Sequence, residues 1–470
     1  MVLGSLHRMR LWFAAAFALL AVGAFAQTEW LGIYLQGQKV GYSVSKTTTD
    51  SKPGREVQTT ESKMVIGTQM LGSEMKIIVD SSVTVENGKI ARSYYKMASG
   101  GRTMEVNAVY SAKQIAASLV TESGEEQKTI SIPAGKQVLT DPTDLLVSGR
   151  LPPPGKKLEV LLFSPESLDL VSATVEVRPS QEVMVQGRKV QAQVVFVDDP
   201  RAPSTLYLSA KGDLIKMTGP LGIEMVPETE EEAKKFSGSA EIDLAAASRL
   251  TPDKQVSWDD QKVVLEFSGI DLSQMPSDGR QKVAKSGGNW LVTLTPDRAA
   301  NPGTTVAAAR LAQPEWVKAD TRVPVNDPAI LSLAAEIAGG EKTVAGVAKR
   351  VHAYVFGHMG VNAGIGVMRD AREILKTKEG VCRDHAILAG TLLRAAGVPT
   401  RFANGLVLYA GSYYYHAWVE YWDGDGWVGL DTTRPALTLG TGYIKTSQGT
   451  VGQALQGFLL EGATVRVVTH

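Results

Sequence analysis

The chain has 470 residues, enough for roughly two to four domains, and its 44% hydrophobic and 21% charged content excludes a disordered chain and a multi-span membrane protein. Lysine plus arginine and aspartate plus glutamate number 49 each, a balance that argues against a nucleic-acid or polyanion binder. The single cysteine excludes an intramolecular disulfide and a zinc site built from several cysteines.

The first 26 residues are predicted to be a signal peptide. Arg8 and Arg10 precede an apolar run at 11–20, and Ala24-Phe25-Ala26 forms a small-x-small cleavage site. The apolar run is too short for a good transmembrane helix. We therefore expect an exported protein, periplasmic or secreted, with no stable transmembrane anchor after signal removal. An uncleaved anchor is the alternative.

Residues 27–235 are predicted to form an antiparallel β-rich domain, either a sheet or a half-open barrel. Short alternating strands are separated by glycine turns, at Gln36-Gly37, Asn87-Gly88, Gln186-Gly187 and Lys211-Gly212. Asn-Gly is the strongest of these signals, because a type I′ turn needs positive φ at both central residues. The sequence indicates no ligand for this domain, so its role stays open.

The pattern becomes less regular after the β-rich domain. Residues 227–236 are predicted to form a short exposed helix, because four glutamates and two lysines fall in that stretch. Residues 236–325 contain further predicted strands at 262–267 and 289–295. This part is either a small β-domain or a strand-rich connector.

Residues 326–470 are predicted to mix helices and strands. Apolar residues recur three and four positions apart after Asn326-Asp327-Pro328, which is typical of amphipathic helices. The predicted helices are 329–338, 343–355, 369–376 and 383–396, and the predicted strands are 400–409, 414–422 and 426–432.

Cys382 is predicted to lie at or near the first turn of the helix that ends at Gly397-Val398-Pro399. Unsatisfied N–H groups and a partial positive charge at a helix N-terminus stabilise a thiolate and lower the cysteine pKa from about 8.5. The same N–H groups can stabilise an oxyanion. A buried free cysteine that acts as a small hydrophobe is the alternative, but an unpaired thiol in an exported protein favours a nucleophile.

His416 and Asp431 are predicted to form a pair across a hairpin. If the turn at Asp423-Gly424-Asp425-Gly426 closes the hairpin, Trp422 pairs with Trp427, and His416 and Asp431 share one face as diagonal neighbours. Their Cα atoms would lie about 7–8 Å apart, within reach of the side chains. A carboxylate on one imidazole nitrogen leaves the other free to take a proton from a thiol.

Other histidines and possible metal sites are weaker candidates. His385 lies three residues after Cys382 and is a rival to His416, whereas packing or surface roles are the default for His352 and His358. The Asp-Gly-Asp-Gly turn resembles part of a calcium loop but lacks the later glutamate. Cys382 and His385 have no accompanying ligand cluster. We therefore expect no metal and no cofactor.

Several motifs resemble the transglutaminase-like superfamily. They are Gly380-Val381-Cys382-Arg383-Asp384-His385-Ala386, Leu392-Leu393-Arg394-Ala395-Ala396-Gly397-Val398-Pro399-Thr400-Arg401, His416-Ala417-Trp418-Val419-Glu420 and Trp427-Val428-Gly429-Leu430-Asp431-Thr432-Thr433. The resemblance covers about the last 145 residues. It implies a papain-like arrangement in which Cys382 is the nucleophile, His416 is the base and then the acid, and Asp431 orients His416. His385 falls where family members commonly carry an aromatic residue.

The resemblance implies attack on an amide carbonyl of a protein or peptide through a thioester intermediate. An amine acceptor gives cross-linking, whereas water gives deamidation or peptide hydrolysis. It also implies a second oxyanion donor, which the sequence does not locate. We thus expect an α+β protein, a β-rich domain followed by a papain-like transglutaminase-like domain. The alternative function is a non-catalytic envelope binding or scaffold protein.

Overall fold

The computed structural model describes residues 27–141, 151–236, 241–454, 460 and 462–469. The predicted signal peptide lies outside these residues. Strand makes up 50% and helix 17%, which confirms the α+β class. The chain divides into two compact units, the first holding most residues up to Glu241 and the second chiefly those from Ile242. Within the described ranges, no helix has the length and apolarity needed to cross a membrane.

A 15-stranded sheet dominates the first unit. Its spatial order runs from β8 to β1 and then from β15 to β9, so nearly every neighbour in the sheet is also a neighbour in the chain. The strands are β1 (Gln27–Leu35), β2 (Gln38–Lys52), β3 (Arg55–Met70), β4 (Ser73–Glu86), β5 (Lys89–Ser99), β6 (Arg102–Tyr110), β7 (Gln114–Thr121), β8 (Gly124–Ser131), β9 (Val138–Leu139), β10 (Lys157–Ser164), β11 (Asp169–Val185), β12 (Arg188–Asp198), β13 (Ser204–Leu208), β14 (Leu214–Gly219) and β15 (Ile223–Glu228). The predicted antiparallel sheet is thereby confirmed, with one parallel pairing between β9 and β10.

The glycine turns of this sheet have the predicted backbone conformation. Asn87 and Gly88 adopt φ of 48° and 74°, so both central residues of the β4–β5 hairpin are left-handed, as a type I′ turn requires. The hairpin near Gly212 also forms, but Leu208 pairs with Leu214. Its turn is therefore longer than the two residues that a tight hairpin uses.

Apolar residues on alternate positions form the core of the first unit. On β11, Ala173, Val175 and Val177 are buried and pack in one cluster with Leu162 on β10 and Val197 on β12. This period of two is what a sheet with one buried face requires.

A four-stranded sheet in the second unit joins distant parts of the chain. Its order is β17-β18-β16-β25. The strands are β16 (Val263–Ser268), β17 (Gln281–Ser286), β18 (Asn289–Leu294) and β25 (Thr464–Thr469). The strands predicted at 262–267 and 289–295 are therefore present, and they lie in one sheet with a strand some 200 residues later in the sequence, Val264 pairing with Thr469.

The helices follow the sequence pattern closely. They are α1 (Glu230–Ala233), α2 (Leu244–Ala247), α3 (Val306–Ala312), α4 (Pro328–Ala338), α5 (Val344–His358), α6 (Ala371–Thr377), α7 (Cys382–Ala395) and α8 (Val451–Ala454), with 3₁₀ turns at Pro220–Gly222 and Pro314–Val317. The four helices predicted after residue 326 correspond to α4, α5, α6 and α7, with boundaries shifted by up to three residues.

A second four-stranded sheet, of order β23-β22-β21-β24, lies beside α7. Its strands are β21 (Thr400–Tyr409), β22 (Ser412–Trp422), β23 (Trp427–Leu430) and β24 (Tyr443–Gly449), and a short parallel pair is formed by β19 (Gly360–Val361) and β20 (Glu379–Gly380). The helix packs closely because a Cβ on Gly390 would lie 2.8 Å from the Phe402 ring and 3.3 Å from Val419. This close approach packs α7 against β21 and β22.

Candidate active site

The N-terminal turn of α7 is held by buried charges. Cys382 is the first residue of the helix, and the Asp384 carboxylate accepts a hydrogen bond of 2.9 Å from the Val381 N–H. Arg369 pairs with Asp384 at 3.2 Å, and neither side chain is exposed. Gly380 has a φ of 154°, and a Cβ there would lie 2.5 Å from the Asp384 Cβ. The chain therefore needs glycine at this position to start the helix at Cys382.

Cys382 lies against strand β22. The N–H of Ala417 on this strand donates a hydrogen bond to the Cys382 sulfur. The His416 side chain also hydrogen-bonds the sulfur. Burial raises the pKa of the Cys382 thiol, but His416 and these hydrogen bonds outweigh burial and lower the pKa below its ordinary value. The Cys382 thiol therefore ionises more readily than an ordinary cysteine thiol.

His416 bridges the thiol and a carboxylate. Its Nε2–H donates to Asp431 Oδ2 at 2.8 Å, which leaves Nδ1 for the Cys382 sulfur. Burial lowers the pKa of His416, but the charges of Asp431 and Cys382 outweigh it and raise the pKa to about 10. For Asp431, burial is likewise opposed by His416, and its pKa is held well below the usual range. At neutral pH these shifts favour the imidazolium and the carboxylate, and they make the thiol ionise more readily than a free cysteine.

The predicted hairpin register is correct. Trp422 pairs with Trp427 and Val419 with Leu430, which places Asp431 directly after β23, on the face of His416. The turn residue Asp423 accepts backbone N–H groups of Asp425 and Gly426 within the turn.

The Asp423 carboxylate also pairs with Arg298. It also accepts the N–H of Asn301, so Asp423 ties the hairpin turn to residues 298–301. The described residues contain no group of three or more histidine, cysteine, aspartate or glutamate side chains that could hold a metal ion.

The rival histidine has another partner. His385 Nδ1 lies 3.1 Å from the Thr432 carbonyl oxygen, so this nitrogen carries the proton and donates. Burial lowers the pKa of His385 and keeps the ring neutral. His352 donates to the Arg434 carbonyl, and His358 donates to the carbonyl of Tyr354. The structure therefore brings Cys382 together with His416 and uses His385 to brace the segment after β23.

Two residues near Asp431 were not identified from the sequence. Thr433 donates to Asp431 Oδ1 through its N–H at 2.9 Å and its hydroxyl at 2.7 Å. Tyr443, at the start of β24, donates its hydroxyl to Asp431 Oδ2 at 2.6 Å. Thr433 could have been found from the predicted register, which places it opposite His416. The sequence has no turn motif that predicts how β24 pairs, so the position of Tyr443 beside Asp431 could not be predicted.

Glu420, on the same face as His416, belongs to a buried charge cluster. Its carboxylate pairs with Arg401 at 2.6 Å and with Lys445 at 2.7 Å. Asp278 pairs with the same two cations. Lys445 is 1% exposed, so two carboxylates compensate a fully desolvated ammonium. The ion pairs of this cluster join β21, β22 and β24.

Arg383 holds residues 365–367 by hydrogen bonds to their backbone. Its guanidinium donates to the carbonyls of Ile365, Gly366 and Val367, the last at 2.9 Å. This segment is thus tied to the residue that follows Cys382.

Residues 331–432 match the family model described as Transglutaminase-like superfamily, which confirms the resemblance for this segment. Among solved structures, a candidate cysteine protease from Cytophaga hutchinsonii is 16% identical with a TM-score of 0.31, over 43% of this chain and 84% of that chain. A beta-barrel-like protein of a domain of unknown function from Brucella abortus is 16% identical with a TM-score of 0.30, over 43% of this chain and 94% of that chain. A candidate protease from Parabacteroides distasonis is 10% identical with a TM-score of 0.21, over 80% and 70% of the two chains. No curated protein matches the sequence.

Proposed function

We propose that this protein, whose residues 331–432 are transglutaminase-like, is an exported cysteine-dependent enzyme that transfers or hydrolyses the acyl group of a protein or peptide amide. The observation that carries the proposal is the contact of Cys382 with His416, which in turn donates to Asp431 at 2.8 Å. A thiolate at a helix N-terminus beside an imidazolium is an activated nucleophile.

The reaction begins when the Cys382 thiolate attacks the amide carbonyl carbon. A C–S bond forms and the carbonyl electron pair moves to oxygen, where N–H groups at the start of α7 stabilise the oxyanion. The intermediate then collapses, the C–N bond breaks, and the leaving nitrogen takes the proton of the His416 imidazolium. The product is a thioester on Cys382 and free ammonia or amine.

The second half of the reaction regenerates the enzyme. Water or an amine gives its proton to neutral His416 while its oxygen or nitrogen attacks the thioester carbonyl. The C–S bond breaks and the thiolate–imidazolium pair returns. Water yields a carboxylic acid by deamidation or peptide hydrolysis, whereas an amine yields a cross-link, and exclusion of water from the site decides between them.

The first test is the alkylation rate of Cys382 against pH in the mature protein, with His416→Ala beside the wild type. The single cysteine makes the assay report one site. We expect a wild-type midpoint well below pH 8 that moves up in His416→Ala, because the mutant thiolate loses its imidazolium. A midpoint near the reference value in both folded proteins would contradict the proposal and support a non-catalytic binding protein.

The second test is turnover of peptide amides, followed by ammonia or amine release. Cys382→Ala and His416→Ala are expected to abolish turnover, and Asp431→Ala to reduce it severely. Full activity in Cys382→Ala would contradict the mechanism. Adding a primary amine separates the outcomes, since amine incorporation identifies a cross-linking enzyme and unchanged hydrolysis identifies a protease or amidase.

Export is supported by the charged and apolar pattern of the first 26 residues. N-terminal sequencing of the protein recovered from a bacterial periplasm or culture medium is expected to begin at Gln27. Recovery of an unprocessed chain in the cytoplasmic or membrane fraction would contradict export.

A further inference from the structure

The Asp431 carboxylate receives a hydrogen bond that does not come from the catalytic histidine. Tyr443 is 2% exposed, and its hydroxyl donates to Asp431 Oδ2 at 2.6 Å. The same oxygen accepts the His416 Nε2–H at 2.8 Å. Two donors thus share one carboxylate oxygen, and each decreases the negative charge available to the other.

The Tyr443 ring is held in place on several sides. Its centroid lies 6.1 Å from the His416 ring and 5.4 Å from each of the Trp418 and Trp258 rings. The Arg280 guanidinium donates to the Tyr443 carbonyl at 2.6 Å. Packing therefore sets the direction of the phenol before any substrate binds.

Trp258 lies outside the segment that matches the family model, and its indole ring packs closely against Gly442. A Cβ on Gly442 would lie 2.7 Å from the Trp258 ring, so only glycine leaves room for the indole. The Arg434 guanidinium covers the ring at 4.1 Å. The support of Tyr443 is thus built partly from residues before 331.

The Asp431 carboxylate stays in place without the phenol. Its other oxygen, Oδ1, accepts both the N–H and the hydroxyl of Thr433. With His416 on Oδ2, three donors would remain after the Tyr443 hydroxyl is removed. Loss of the hydroxyl therefore changes the charge that His416 faces more than it changes the geometry.

We propose that Tyr443 is a positioning residue that acts through Asp431: its hydroxyl draws charge from Oδ2 and so keeps the His416 imidazolium acidic enough to protonate a leaving amine. The inference rests on the proposed function, since it assumes the thiolate–imidazolium pair.

Other charged and titratable groups also surround this site. Cys382 and His385 face it from α7, Asp431 follows β23, and Arg280 and Arg434 lie near the Tyr443 ring. None of these groups is altered when the Tyr443 hydroxyl alone is removed.

The test is the rate of Cys382 alkylation by iodoacetate across pH 5 to 11.5, comparing wild type, Tyr443→Phe and Tyr413→Phe. Iodoacetate is an anion, so its rate rises as the thiolate forms and falls when His416 loses its positive charge. The raised pKa of His416, about 10, sets the wild-type fall. In Tyr443→Phe we expect this alkaline midpoint to rise by about half a pH unit, because His416 faces the full carboxylate charge.

Tyr413→Phe is the matched control, because Tyr413 is fully buried and its hydroxyl has no hydrogen-bond partner in the described part of the chain. We expect its profile to match the wild type. An alkaline midpoint in Tyr443→Phe that is unchanged, or that falls, overturns the inference.

A further variant guards against a folding defect in Tyr443→Phe. Thr433→Val removes a hydroxyl donor from the other carboxylate oxygen and is expected to move the alkaline midpoint in the same direction. A wild-type profile without rise and fall would overturn the proposed function and this inference together. A normal wild-type profile whose alkaline midpoint does not rise in folded Tyr443→Phe overturns the inference alone.

Discussion

Replacing Asp384 by asparagine tests whether buried charge holds the start of α7, the helix that begins at Cys382. Asp384 and Arg369 are both fully buried and lie 3.2 Å apart. Breaking a buried ion pair by removing one partner costs about 3–5 kcal/mol, because the remaining charge stays desolvated. The asparagine amide can still accept the Val381 N–H, and Arg369 keeps its bonds to Thr377 and the Glu379 carbonyl. We therefore expect a loss near the lower limit, about 3 kcal/mol.

The assay is urea unfolding followed by tryptophan emission, since six of the eight tryptophans lie after Ile242 and report mainly the second unit. Glu266→Gln is the control, because it breaks the pair with Arg466, whose side chain is 63% exposed, and should cost under about 1 kcal/mol. Asp384→Asn with Arg369→Met is expected to be more stable than Asp384→Asn alone. A loss in Asp384→Asn no larger than the control would refute the reasoning.

Two further predictions concern pH and the helix start. Folding raises the pKa of His416 to about 10, so the folding stability that His416 contributes is complete below about pH 6.5 and is lost as the pH rises towards 10. Folding lowers the pKa of Cys382, so the folding stability that Cys382 contributes is complete above about pH 8.5 and is lost as the pH falls. Below about pH 8.5 the two effects oppose each other, so the wild-type unfolding midpoint should decline most steeply from about pH 8.5 to 10. In Cys382→Ser nothing opposes the His416 effect, so the decline should start at lower pH; an identical decline in both proteins would contradict the pairing. In urea unfolding, Gly380→Ala should destabilise the protein by about 2 kcal/mol more than Gly411→Ala. Both glycines have positive φ, but only the Cβ added at residue 380 would lie 2.5 Å from the Asp384 side chain. Equal losses in the two variants would contradict this reasoning.

Local patterns predicted the elements of the site correctly. Gly397 and Pro399 mark the end of α7, so its start near Cys382 followed from helix length and stop signals. The tight turn at Asp423 fixed the hairpin register, and the period of two then placed His416 and Asp431 on one face. Both inferences depend on residues close together in the sequence.

Contacts between distant segments could not be predicted in this way. Tyr443 follows a 12-residue stretch after Leu430 that has neither helix nor strand, so neither turn type nor register relates it to Asp431. The pairing of Arg369 with Asp384 and of Glu420 with Lys445 depends on how helices and strands pack. A charged residue looks the same in a sequence whether it is solvated or buried beside a partner.

The pairing of β16 with β25 has a consequence for the order in which the protein folds. Leu265 on β16 pairs with Val467, about 200 residues later in the chain, so that edge of the sheet stays incomplete until the C-terminal strand has been made. During synthesis the ribosome adds about 5–20 residues per second, so β16 stays unpaired on this side for about 10–40 seconds. The apolar side chains of β16 and β18 are therefore open to other contacts during that interval, and the sheet is completed only after residues 464–469 have been made.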